Sequence, residues 1–528
     1  MDRPQSPNSA LQVDRRSVFS SSRSQSPSDV ESAKNKAILT AQTNEFGYVQ
    51  EMPKHRSLAS ILFLAVAIAA IPYGLSTTIL YPLTNGGSSA VIWGWVMMAV
   101  ITQCVAVSLA EICSRYPVAG GAYYWSYMLS PPRYAKLNSY ICGWVYLVGN
   151  WTVTLAVNFG TTQLFLGGLN LLYPDFVANQ WQTVLTFWAL SIVTTVISCV
   201  PGKYLKYLDH FCLVWTVAGL LAILVGLSVR AGAGRRSARW VFGAFENAES
   251  GWPNGWSFFV GLLMGSYTLS STAMISSMCE EVLDADTVVP RAIMANIPLS
   301  FGTGLIFLLP LLFTMPAVDA VLDGTSGQPV VECFRYVMGY EGGAFGLFFI
   351  VFLIGIFSGI GCTTAASRLT WAFARDNAIP FSGLIKQVNP TLELPLNAIL
   401  LSTAVQMVLG CVYFGSSAAF NAFSSVSVIC LGCSNLVPIT ISFCEGRNAI
   451  SDAKFNAGKL GGVCNVVSIA WFAFAIPLFC FPTTTPPTKE SMNYASVVFV
   501  GFLAISAAYY LAYGRKKFDG PPTTHFKE

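Results

Sequence analysis

Six of the seven residues from Ser266 to Thr272 carry a hydroxyl group, and they follow Gly261 and Gly265 in the run GLLMGSYTLSSTAMISSMCEE. Hydroxyls at that density can bind a small polar solute, or they can bond back to their own helix carbonyls and let a neighbouring helix pack closely. A second segment, FLAVAIAAIPYGLSTTILYPL, carries Pro72 and Gly74 near its middle. Proline removes an N–H and glycine loosens the backbone, so the amides and carbonyls of residues 69–75 are either free to bind a ligand or part of a simple proline kink. Groups for covalent chemistry are scarce. His55, His210 and His525 all sit at or beyond the ends of apolar segments, and the Cys430/Cys433 pair has no second pair or histidine nearby. A zinc site needs about four ligands, so no metal is expected. An intramembrane enzyme would need acid, base and nucleophile groups converging at one depth. What the residues offer instead is non-covalent: backbone dipoles, hydroxyls and aromatic rings able to hold a small solute.

The elements that must position these groups follow from composition. The chain has 528 residues, of which 54% are hydrophobic and 11% charged, with a net charge of +4 and a mean hydropathy of +0.56. A soluble domain is about 25% charged, so a soluble enzyme is excluded, and the small net charge gives no nucleic-acid footprint. The apolar residues fall into twelve blocks, at about 58–82, 89–110, 138–168, 182–201, 208–229, 256–279, 292–316, 343–371, 395–415, 418–444, 461–482 and 491–513. Each is long enough to cross a hydrocarbon core of roughly 30 Å as a helix. Continuous apolar runs exclude a β-barrel, whose strands alternate, and lipid permits no other spanning form. The fold class is therefore an all-α integral membrane protein with about twelve transmembrane helices. The two interrupted segments are blocks one and six. That spacing suits a five-plus-five inverted repeat, in which two broken helices meet at mid-membrane and their half-helix ends hold the charged groups of a substrate.

Basic residues orient the chain, because short cytoplasmic loops retain Lys and Arg. With both termini in the cytoplasm, only Arg230, Arg235, Arg236, Arg239, Arg335 and Lys489 of the 30 basic residues fall outside. The Arg235–Arg239 cluster runs against the rule. Residues 1–55 read as a disordered cytoplasmic tail, 56–513 as the membrane domain and 514–528 as a cytoplasmic C-terminal tail; the polar stretch before the first block is no signal peptide. Ser6-Pro7, Ser26-Pro27 and Arg15–Ser17 could be sites for trafficking regulators, or the tail could be merely solvated. The sequon at Asn150 falls inside the third block and is unused.

PYGLSTTILYPLTNGG, SLAEICSRYPVAGGAYYWSYMLSPPRYAKLNSYICGWVYLVGNW, MCEEVLDADTVVPRAI and SRLTWAFARDNAIPFSGLIKQVNPTLELPLNA occur in that order across residues 56–520, with TKESMNYASVVFVG near the end. In these motifs the chain resembles the amino acid–polyamine–organocation permeases, most closely the fungal amino acid/choline transporter branch with its GABA, choline and polyamine permeases. The resemblance implies a LeuT-type fold with two additional C-terminal helices. It also implies secondary active transport driven by the proton gradient, with no bound cofactor. The family's site maps onto Ala70, Ile71, Pro72, Tyr73, Gly74, Leu75 and Ser76 of helix one and onto Gly265, Ser266, Tyr267, Thr268, Ser270, Ser271 and Thr272 of helix six. Tyr267 stands where relatives have an aromatic gate. Helix three adds Asn150, Thr154 and Asn158, spaced by four on one face; helix eight adds Ser358, Cys362, Thr363 and Thr364; helix ten adds Asn421, Ser424 and Ser425. Relatives often carry hydroxyl or amide side chains where this chain has Ala69-Ala70-Ile71, a departure that bears on substrate.

At the inner helix ends, Glu111, Arg115, Glu280, Glu281, Arg368, Arg375 and Asp376 bring opposite charges together. They form either an inner gate or a set of solvated ends worth about 0–1 kcal/mol per exposed pair. No Asp or Glu occurs at mid-depth, which disfavours a polyamine and favours a zwitterion such as GABA or another amino acid. Choline stays open through the faces of Tyr73, Tyr267 and Trp151. Glu111 and Glu280 are the candidates for proton coupling. The expected partners are a small-molecule substrate and membrane lipid, and the expected location is the plasma membrane. Export, a vacuolar or other internal membrane, and a nutrient sensor sharing the fold are the alternatives.

Overall fold

The computed structural model describes residues 46–48, 51–52, 54, 56–231, 234–247, 250–415, 417–488 and 492–522, with side chains 202–203, 206 and 417–421 outside that description. The phosphorylation candidates at Ser6, Ser17 and Ser26 lie outside the described residues, as does most of the expected N-terminal tail. One compact unit runs Met52–Pro521.

Among the described residues, twelve helices are long and apolar enough to span a membrane: α1 Leu58–Thr84, α2 Gly87–Arg115, α3 Ala135–Leu172, α4 Gln180–Ser198, α5 Tyr207–Val229, α6 Asn254–Glu281, α7 Ala285–Thr314, α8 Glu341–Arg375, α9 Leu396–Phe414, α10 Ala422–Cys444, α11 Lys459–Leu478 and α12 Ala495–Lys517. The even number puts the start of α1 and the end of α12 on one side, here the terminal side. α3 is the hub, with 94% of its most apolar window buried, and α12 is peripheral, with 11%. α12 runs past residue 513 and takes in Arg515, Lys516 and Lys517, because Tyr509, Tyr510 and Tyr513 and the basic side chains can reach the interface while the helix continues.

Both expected interruptions exist, and their geometries differ. α1 is helical to Ala69, turns at Ala70 with φ 39° and ψ 52°, and restarts at Ile71 with Pro72 in the first turn. The Ala70 N–H still reaches Val66 O at 2.9 Å, and Gly74 N reaches Ala70 O at 2.9 Å. Between them, the amides of Ile71 and Tyr73 have no acceptor within the helix. One helix ends negative and the next begins positive at the same point. α6 is not unwound in this way. It changes winding, with α-helix over Asn254–Gly261 and, after a turn at Leu262, over Leu263–Leu269, and then a 3₁₀ helix over Ser270–Glu281. Runs of 3₁₀ helix beyond three or four residues are uncommon. Hydroxyls three residues on support this one: Ser270 donates to Tyr267 O, Thr272 to Leu269 O, Ser276 to Ala273 O and Ser277 to Met274 O, all between 2.7 and 2.9 Å.

The broken spans pack against each other through Gly74, where an added Cβ would lie 2.9 Å from Thr268 Cγ2. On the side opposite the termini, the anomalous arginines have helix ends as partners. Arg235 Nη2 donates to Ser228 O at the end of α5 at 2.8 Å, and Arg236 Nε donates to Met315 O just past α7 at 3.0 Å. Cations are favoured at helix C-termini, which gives this cluster a local reason to sit there.

Candidate functional site

A cavity of about 350 Å³ lies on the side opposite the termini, within the range of small-ligand pockets. The second half of α1 supplies Thr77, Tyr81 and Asn85, α3 supplies Gly160 and Gln163, and Tyr267 is its one lining residue from α6. Ser424 and Ser425 of α10 and the loops after α7 and α11 complete the wall, and among the described residues none of the lining is charged. Tyr267 is therefore in the cavity, one step below the α1 face that begins at Thr77.

The other anticipated residues distribute around it. Tyr73 donates to Val157 O of α3 at 2.6 Å, and Ser76 donates to Pro72 O at 2.6 Å, so both side chains are bound within the bundle. Thr268 bonds Met264 O and faces Gly74. Gly265 packs against Met98 of α2. Ser266, Ser270 and Thr272 turn the other way, onto a smaller cavity of about 40 Å³ between α2, α6, α10 and α11. Several hydroxyls of the α6 cluster are thus occupied in supporting their own helix, one of the two uses open from sequence. Ser271 is buried.

Asn150 and Asn158 have different partners, and Thr154 bonds its own helix at Asn150 O. Four residues advance an α-helix by about 400°, so each step drifts by about 40°. Asn150 donates to Tyr146 O at 2.8 Å and keeps a buried, unpaired Oδ1, on the face whose Tyr146 hydroxyl reaches Ala273 O of α6. Asn158 has rotated away and donates to Gln406 Oε1 of α9 at 3.2 Å. Trp151 likewise faces α8 and α9 through Thr370 and Ser402. On α8, Ser358 donates to Ile68 O of the first half of α1 at 3.1 Å, Thr364 bonds its own helix, and Thr363 Oγ1 is buried without a partner. The Asn421 side chain lies outside the described residues.

The terminal side is closed by ion pairs. Glu281, at the end of α6, receives Arg368 Nε of α8 at 2.8 Å and Arg56 Nε at 3.2 Å, while Arg56 Nη1 reaches Asp209 Oδ2 of α5 at 3.0 Å. All four side chains are at most 7% exposed. The backbone joins in, with Arg56 N donating to Glu281 O at 3.0 Å and Leu283 N to Arg56 O at 3.2 Å. Burial alone would lower the Arg56 pKa, but Glu281 and Asp209 outweigh it and raise the value, so the guanidinium stays charged. Beside this cluster, Arg375 meets Glu280 at 2.9 Å and lies over the Trp371 ring. Tyr123, whose phenol is pushed well up by burial and then by Asp376, has its hydroxyl 2.8 Å from Asp376 Oδ2. Glu111 belongs to a different cluster. It accepts from Arg447 at 2.6 Å and from Ala457 N at 2.7 Å in the α10–α11 loop, while Arg115 lies over the Tyr116 ring.

Sequence reasoning did not single out Arg56 and Asp209, nor the cavity residues Tyr81, Asn85, Gln163 and Gln328. Asp209 had a signal, an acidic residue just inside the apolar block 208–229; Arg56 had none, standing at the end of a polar tail.

A cavity at one face, a broken helix pair beneath it and charged closure at the other face match what sequence comparison finds. The sequence model of the amino acid permease family matches residues 49–503. The chain belongs to the amino acid permease family. This permease is 32% identical over 466 residues to a choline transporter of Saccharomyces cerevisiae, covering 88% of this chain and 82% of that one. It is 31% identical over 494 residues to the amino-acid permease BAT1 of Arabidopsis thaliana, with 90% and 95% covered. It is 28% identical over 490 residues to the polyamine transporter TPO5 of S. cerevisiae, with 91% and 79% covered. The permease is a multi-pass membrane transporter of a small molecule, not an enzyme, and sits in the amino acid–polyamine–organocation superfamily.

Proposed function

We propose that this permease imports an amino acid or amino acid-like nitrogen compound such as GABA across the plasma membrane, by alternating access driven by the proton gradient. The observation that carries the reading is the 350 Å³ cavity on one face, uncharged among the described residues and sealed from the other face by the buried Arg56–Asp209–Glu281–Arg368 cluster. A solute enters the cavity, passes Tyr267 and reaches the amides freed at Ala70 and the Oδ1 of Asn150. A carboxylate fits the positive start of the second α1 half, and an ammonium fits carbonyls and Asn150. Release on the terminal side requires the arginines to part from Glu281 and Glu280. Glu280 in the gate and Glu111 in its separate cluster with Arg447 are the groups proposed to take the proton.

Choline is the second reading, favoured by the ring faces of Tyr81 and Tyr267 in the cavity and by the yeast choline transporter among the relatives. Uptake of labelled GABA, neutral amino acids, choline and putrescine into cells expressing the protein, with Tyr267→Ala as control, separates the two. Uptake of a zwitterion that falls severalfold in Tyr267→Ala supports the first reading. No uptake of any compound, with the protein at the surface, defeats both. Collapsing the proton gradient should abolish accumulation; unchanged accumulation would remove proton coupling.

A further inference from the structure

The chain just past α12 is fastened to the bundle by one ring and one glycine. Lys517 and Asp519 are exposed, Asp519 over 90% of its side chain, yet Phe518 between them is fully buried. Its N–H donates to Gly514 O at 2.8 Å, closing the last turn. Its ring lies edge-on to Tyr140 of α3 at 5.4 Å and to Phe373 of α8 at 6.4 Å, an arrangement aromatic pairs favour. Two residues on, Gly520 has φ 85°, and a Cβ there would overlap the Tyr127 ring, so its backbone rests directly on the short helix Ala122–Leu129.

Both surfaces that receive this segment lead to the terminal-side ion pairs. Phe373 packs against Gly143 of α3 and against Tyr123 of the short helix, with ring centroids 5.0 Å apart. The Tyr123 hydroxyl is 3.0 Å from Ala372 O and 2.8 Å from Asp376 Oδ2, beside Arg375, which meets Glu280 of α6. Where the short helix begins, a Cβ on Gly121 would lie 2.7 Å from Ser276 Oγ in the 3₁₀ part of α6. The short helix thus touches α6 and α8, and the C-terminal segment backs both it and α8 from outside. Close-packed interiors pass such displacements on. We propose that Phe518 is a positioning residue of the terminal-side gate: with Gly520 it makes the C-terminal segment a strap that holds the short helix and the end of α8 where Arg375 reaches Glu280. Withdrawing the ring gives Phe373 and Tyr123 room to move, and the gate then opens more readily. The inference rests on the reading of these ion pairs as a gate, and it adds a residue that touches neither solute nor ion pair.

Two native thiols read the outcome. Cys279, 2% exposed and next to Glu280, reports opening of the gate, and Cys333, fully buried in the helix Pro329–Met338 on the opposite side, reports general loosening. The full-length protein in nanodiscs is treated with N-ethylmaleimide, and the labelling rate of each cysteine is followed by mass spectrometry. Phe518→Ala should raise the Cys279 rate severalfold and leave Cys333 unchanged. Phe518→Leu, which keeps an apolar side chain in place, should restore most of the protection. Gly520→Ala, beyond the last span, should act like Phe518→Ala, because alanine disfavours φ 85° and its Cβ displaces the segment from Tyr127. A Cys279 rate unchanged in both Phe518→Ala and Gly520→Ala, or a Cys333 rate that rises with it, would overturn the proposal. Uptake of labelled GABA, neutral amino acids, choline and putrescine by the parent is measured in parallel. Uptake with unchanged Cys279 labelling leaves the transport reading standing and removes the strap; faster Cys279 labelling without uptake of any compound does the reverse.

Discussion

Ala70 holds a left-handed backbone conformation that costs an L-residue roughly 1–2 kcal/mol, and it does so at the point where α1 must turn. Glycine would adopt the same angles freely, and a β-branched residue would not. Ala70→Gly should keep transport and should not lower the melting temperature, whereas Ala70→Val should lose transport and melt lower. A Val variant as active and stable as the parent would show that the turn is not required. At the gate, Glu281 is the shared partner of two buried arginines. Glu281→Ala leaves Arg368 without its carboxylate and Arg56 with Asp209 alone, a loss of about 3–5 kcal/mol for breaking a buried pair, and it weakens only the state in which the gate is closed. The expected result is faster labelling of a cysteine introduced near Arg56 by a reagent applied from the terminal side. Arg375→Ala should act less, since Arg375 is partly exposed and also lies over Trp371. Equal labelling of the parent and Glu281→Ala would separate these contacts from gating.

Helix pairs carry the coupling between cavity and gate, and one close approach is that of α1 to α6 at Gly74. Gly74→Ala forces a Cβ to 2.9 Å from Thr268 Cγ2, an overpacking of about 1–3 kcal/mol. The partner change Thr268→Ala removes the colliding atoms, and the residual approach to Cβ is 3.4 Å. Uptake should therefore drop in Gly74→Ala and recover in the double variant; failure to recover would mean that the clash is not what the glycine avoids. This pair also marks where sequence reasoning reached its limit. Pro72 and Gly74 announced the break in α1, because proline and glycine act on the backbone locally and their effect is visible without a fold. The hydroxyls of α6 announced something equally real, but its nature was ambiguous, since serine can bond a solute or its own helix with the same atoms. Asn158 was misplaced for another reason. A spacing of four approximates a face only over one or two turns, and on a helix as long as α3 the drift carries the third residue to a different neighbour.

At the scale of the molecule, twelve spans and their order could be read from hydropathy alone, because the bilayer imposes one length and one backbone solution on every segment. The gate could be read in part: Glu280, Glu281, Arg368 and Arg375 stood out as opposite charges at the inner helix ends, whereas Arg56 and Asp209 did not, because no local pattern records which distant charges join them. Orientation adds a testable consequence. If the terminal side is cytoplasmic, a unique cysteine at residue 239 should react with an impermeant reagent outside intact cells, and one at residue 454 should not. The reverse pattern would invert the topology and make the cavity face the cytoplasm. The winding of α6 bears on the same question in units of length. Twelve residues rise about 24 Å as a 3₁₀ helix and about 18 Å as an α-helix, and Ser270–Glu281 is wound the longer way. Rewound as α-helix from a fixed Leu269, the segment would end about 6 Å short, about twice the 2.8–3.2 Å that separates Glu281 from its arginines. The pitch of one half-helix thus sets whether its final carboxylates reach their partners, so that a change of hydrogen-bond register within α6 and the sealing of the terminal side are a single mechanical variable.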